Sequence, residues 1–267
     1  MTRGTARAAL IAYFIVLIPL VALLSTLVIA NPEQTAYVYA VMFAPAASAL
    51  LAWPISGVRP RFGRFGWRSL VLPVGLIAIV GLGYLLGGLA GILQGTGDAS
   101  PDPVSLAIGI PTSIALALGE ELGWRGYLLP QLRRVTGFWA ANAVVAGVWF
   151  LFHLPIILWA AYAPTDRPLV VALLWFAVNL ALFSFTIGAL WELTHDVWMP
   201  AIAHGLWNVV VADLLPGAFD DSPSWLLGEF GFVPVLPLVV ALLLALLLSR
   251  GRRPARLDLR AGSSAEG

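Results

Sequence analysis

Eight apolar stretches, each about as long as a membrane-crossing helix, run through the chain with short polar breaks between them: 8–30, 36–55, 70–93, 104–132, 138–162, 169–191, 197–215 and 231–248. A bilayer core of about 30 Å takes about 20 apolar residues per helix. In lipid, isolated runs of this length satisfy their backbone hydrogen bonds only by coiling on themselves. The pattern therefore predicts an all-α, polytopic membrane protein of about eight transmembrane helices. Residues 1–249 form the transmembrane domain, which leaves no room for a second, soluble one. The first run is too long for a signal peptide and lacks a small-residue cleavage site, so it reads as a retained helix. The polar residues 250–267 predict a disordered tail whose arginines would hold it near anionic headgroups.

Composition agrees with lipid as the solvent. Of 267 residues, 60% are hydrophobic and 11% charged, with a mean hydropathy of +0.90. All 15 basic residues are arginine, and the net charge of +1 gives no electrostatic support to a nucleic-acid partner. The arginines are one-sided. Arg3, Arg7, Arg59, Arg61, Arg64, Arg68, Arg133, Arg134 and those of the tail share one side of an eight-helix pattern. The other side carries Glu33, Asp98, Asp102, Asp166, Asp220, Asp221 and Glu229, with Arg167 as its single arginine. Because arginine-rich short loops stay inside, both termini are expected in the cytoplasm. An alanine-rich, lysine-free chain also fits a GC-rich genome, and the expected location is a bacterial plasma membrane. With no cysteine, disulfides, thiolate metal sites and cysteine nucleophiles are excluded.

Charge inside the spans is expensive, so each such residue needs a partner or a function. The fourth span reads Gly119, Glu120, Glu121, Leu122, Gly123, Trp124, Arg125. Arg125 lies one turn beyond Glu121 and can neutralise it. Adjacent residues differ by about 100° around a helix, so Glu120 must face elsewhere, free to act as a base in a cavity. An ion pair between Glu121 and Arg125 could by itself merely pin helices together. His153, in the fifth span, has no obvious partner nearby and is expected to find one on another helix. His204 and Asn208, four residues apart in the seventh span, share a face and could be simple helix glue. Two intramembrane histidines beside a surplus carboxylate make separate structural accidents a poor joint explanation. Counted at about 1.5 Å per residue, Glu120 and His153 lie roughly 20 Å deep, but His204 only about 10 Å, unless residues 194–200 dip into the membrane. His195, with Glu192 and Asp196, reads as a solvated loop cluster. Asn179 reads as an interhelical hydrogen-bonding group.

The three segments, Glu120-Glu121-x-x-x-Arg125, Trp149-x-x-x-His153 and His204-x-x-x-Asn208, resemble in order and separation the motifs of the CPBP family, which contains CAAX proteases and bacteriocin-processing enzymes. The resemblance covers about residues 105–215. It implies that Glu120 activates water together with His153, that His204 and Asn208 stabilise an oxyanion, and that Glu121 and Arg125 support the site. Trp149 stands where the family usually has phenylalanine and is expected to pack. The implied substrate is a membrane-embedded or lipidated peptide, prenylated peptides included, in addition to the bilayer itself. Zinc held by Glu120, His153 and His204 is the alternative chemistry. The usual adjacent-turn pair of histidines is absent, which favours a metal-free glutamate mechanism without a cofactor. Two other readings stand beside the protease. One is a non-proteolytic membrane scaffold or regulator of the same fold. The other is a proton-coupled transporter, against which the lack of internal repeats counts.

Overall fold

The computed structural model describes residues 2–95, 102–160 and 162–250. The tail expected over 250–267, beyond Arg250, lies outside them, as does Asp98. The fold is 80% helical, with no strand among the described residues. The helices are α1 (Arg3–Ala30), α2 (Thr35–Ser56), α3 (Trp67–Leu89), α4 (Pro103–Val135), α5 (Phe138–Trp159), α6 (Leu169–Thr194), α7 (Trp198–Ala218) and α8 (Val235–Arg250). The first seven are long and apolar enough to cross a membrane, and α8 is a shorter apolar helix of 16 residues. Large side chains such as Ile15, Leu70, Val170 and Leu236 are exposed along the helices, as lipid-facing surfaces require. The chain is a multi-pass membrane protein.

Local chemistry sets the helix ends. Asp102 caps α4 by accepting from the backbone N–H of Val104 at 3.2 Å and of Ser105 at 3.0 Å, with Pro103 in the first turn. At 33 residues, α4 runs about 50 Å, well beyond the apolar core. Its course is not regular throughout. Trp124–Leu128 is a π-helical segment, and a second one, Trp207–Leu214, interrupts α7. Such widened turns re-aim side chains and recur at functional sites.

Small residues bring the central helices together. A Cβ on Gly123 would sit 2.4 Å from the Pro45 side chain and 2.5 Å from its backbone, so α4 and α2 touch at near-backbone distance. A Cβ on Gly205 would sit 2.6 Å from Cα of Ile114, which brings α7 equally close to α4.

The start of α7 is buried. Val197 N–H donates to the Phe62 carbonyl at 2.9 Å, and Arg61 N–H donates to that of Gly126 at 3.0 Å, so the loop 57–66 closes over the helix entry. Beneath it Asp196, 2% exposed, caps α7 through Met199 N–H and accepts from Ser69 Oγ, each at 2.8 Å. The expected solvated cluster is therefore corrected. Asp196 is a structural cap, Glu192 pairs with Arg133 at 2.7 Å, and only His195 is exposed, in a left-handed turn at φ 52°. An unsatisfied helix start sealed under a loop needs a carboxylate more than water does.

Candidate active site

Four helices meet at Glu120 and Glu121, which are 1% and 0% exposed. Their side chains diverge as helical geometry demands. Glu121 takes Arg125 Nη1 on both carboxylate oxygens, at 3.0 and 2.9 Å, and meets His204 Nδ1 at 3.1 Å. Arg125, fully buried, also donates to Ser184 Oγ at 2.8 Å and lies 4.7 Å from the Trp149 ring centroid. These contacts compensate a charge that could not otherwise stay dry. Glu120 instead accepts from two indoles, Trp149 Nε1 at 2.8 Å and Trp124 Nε1 at 3.3 Å, both on Oε2.

Glu120, His153, His204 and Asn208 line one cavity of about 310 Å³. The seventh-span histidine thus reaches the level of Glu121 despite its place in the chain. The buried entry at Asp196 and Val197 resolves the depth mismatch. His153 Nδ1 lies 2.9 Å from the Trp149 carbonyl, so its partner comes from its own helix rather than from another. The Nδ1 atoms of both histidines are engaged, which leaves Nε2 of each as the free ring nitrogen.

Several members of the site read at the sequence level only as packing, loop or helix-bonding residues. Trp149 is more than a packing aromatic, because its indole N–H holds the carboxylate that a phenylalanine could not reach. Glu229, in the loop between α7 and α8, lines the same cavity and is hydrogen-bonded by Tyr162 Oη, whose ring stacks on His153 at 6.4 Å. Burial pushes the Glu229 carboxyl above its ordinary range, against the opposing pull of Tyr162, His153, His204 and Trp207. The loop is fastened by Asn179 Nδ2, which donates to the carbonyls of Glu229 at 3.0 Å and Gly231 at 2.7 Å. Asn179 thus bonds a loop instead of a facing helix. A polar residue alternating with aromatics, as in Gly228, Glu229, Phe230, carries no signal that it folds back into a bundle.

For zinc, Glu120, His153 and His204 would have to converge. Among the described residues, no three histidine, aspartate or glutamate side chains are grouped to hold a metal ion. Glu120 is instead oriented by the two indole donors.

A helical membrane bundle with a paired glutamate motif, two histidines and an asparagine around one buried cavity defines the class. Residues 102–210 match the family described as Type II CAAX prenyl endopeptidase Rce1-like, which bears out the resemblance to the CPBP and CAAX proteases. A comparison with curated proteins finds no match.

Proposed function

We propose that the chain is an intramembrane endopeptidase that hydrolyses a peptide bond of a membrane-associated peptide, lipidated or membrane-embedded, by glutamate-activated water. The observation that carries this is the orientation of Glu120. Two indole N–H groups hold Oε2 at the cavity wall, and Oε1 is then the oxygen that takes a proton from water held between Glu120 and His153. The water oxygen attacks the carbonyl carbon, and the negative charge that gathers on the carbonyl oxygen is met by His204 and Asn208. The carbon–nitrogen bond then breaks, and the proton on Glu120 passes to the departing amine. For His204 to donate from Nε2 while Nδ1–H faces Glu121, it must carry both protons. Two carboxylates, Arg125 and a charged His204 make the cluster neutral overall. The lining of Val41, Phe152, Phe176 and Phe183 suits an apolar substrate segment. The bacterial plasma membrane remains the proposed location.

A Glu120→Gln variant tests the mechanism because it keeps the size of the side chain and removes the base. Processing of the substrate, identified by comparing membrane proteomes with and without the variant allele, is expected to stop while the purified protein keeps its unfolding temperature. Full processing by Glu120→Gln would overturn the glutamate mechanism, whereas membrane proteomes identical with and without the whole gene would leave the scaffold reading. Purified enzyme is also expected to keep its activity in chelator. Loss that zinc restores would replace the metal-free mechanism with a zinc one.

A further inference from the structure

From Glu120 and His204 in the interior, the cavity lining extends towards one end of the bundle. Val28 is two residues from the end of α1, Val38 is in the first turn of α2, and Ala212 is in the last third of α7. Tyr162 and Glu229 stand on the loops that follow α5 and α7. Each of these positions lies at the end away from the loop carrying Arg59, Arg61 and Arg64 and from the end of α4 carrying Arg133 and Arg134. Val38 and Tyr162 are 38% and 42% exposed, so the lining reaches the surface at this end. The opposite end is shut. Arg125, Tyr127, Val197 and Met199 are 0% exposed, Tyr13 stacks on Tyr127 at 5.3 Å, and the loop 57–66 lies over the entry of α7.

Arginine-rich short loops remain in the cytoplasm. From this sidedness together with the shut floor, we infer that the cavity is entered from the extracytoplasmic side, so that its substrate is a peptide segment emerging at the outer face of the membrane. This rests on the endopeptidase reading only for the word substrate. The route of access stands on the geometry of the two ends and the sidedness of the arginines. Prenylated peptides made and anchored on the cytoplasmic face would meet the closed end. Peptides already carried across, such as the membrane-proximal part of an exported precursor, would meet the open one.

The cysteine-free chain makes the test direct. Single cysteines are placed at Ala212 in the cavity, at Glu33 on the acidic side and at Arg64 on the arginine side, and cells are treated with a charged, membrane-impermeant thiosulfonate. Ala212→Cys and Glu33→Cys are expected to react as fully in intact cells as in permeabilised ones, and Arg64→Cys only after permeabilisation. Reaction of Ala212→Cys only after permeabilisation, or at neither stage, overturns the inference, as does reaction of Arg64→Cys in intact cells. Labelling needs no turnover. An inactive protein with this labelling pattern would overturn the protease reading and leave the route of access standing.

Discussion

Trp149 separates packing from chemistry at the level of one residue. Trp149→Phe keeps an aromatic ring beneath Arg125 and His204 but removes the 2.8 Å donor to Glu120. An unmade hydrogen bond to a charged group costs about 1.5–3 kcal/mol, so turnover is expected to fall about 10- to 100-fold with little change in KM. Steady-state kinetics on the purified variant checks this. Arg125 behaves differently because its loss strands Glu121. Arg125→Met should destabilise the fold by about 3–5 kcal/mol, seen as a lower unfolding temperature in detergent. Glu229 carries a pH signature. Its carboxyl is raised in the folded chain, so the folded state holds the proton more tightly than the unfolded one. Stability from this group is greatest while it is protonated and declines as pH rises from the ordinary carboxylate range through the raised value. Glu229→Gln should flatten that decline in unfolding temperatures measured across pH.

Among the elements, the α4–α7 crossing fixes the distance between Glu121 and His204. Gly205→Ala places a methyl group 2.6 Å from the Ile114 backbone, which cannot turn aside as a side chain would. Overpacking of this kind costs about 1–3 kcal/mol, and the expected result is a lower unfolding temperature together with reduced turnover. The helices themselves were legible in the sequence because lipid enforces length. The expected run 104–132 became Pro103–Val135, and 169–191 became Leu169–Thr194. What could not be read is rotation and interruption. Apolar residues surround most of these helices, so no stripe indicates which face turns inward. The two π-helical segments depend on how α4 and α7 pack, which no local propensity encodes. For the same reason the motif residues were visible as misplaced charge, whereas Trp149 and Glu229 looked like ordinary packing and an ordinary outer loop.

At the scale of the whole molecule, the loop 57–66 joins two parts of the chain that the sequence keeps far apart. Gly63 lies there at φ 70°, and any Cβ on it would come within 2.5 Å of the Asp196 backbone. Gly63→Val is expected to lift this loop from Asp196 and Val197. A hydrolase that keeps water inside a bilayer has to be an insulator as well, since ionisable groups strung from the cavity to the cytoplasm would short-circuit the cell's ion gradients. The loop and the stacked pair Tyr13 and Tyr127 close the arginine side of the bundle, and this closure is expected to hold those gradients. Proteoliposomes holding the unaltered protein should retain an imposed pH difference, and those holding Gly63→Val should lose it measurably faster to a trapped pH dye. The same closure accounts for a cap aspartate that is only 2% exposed, because a helix start covered by a loop must find its acceptor in the chain and not in water.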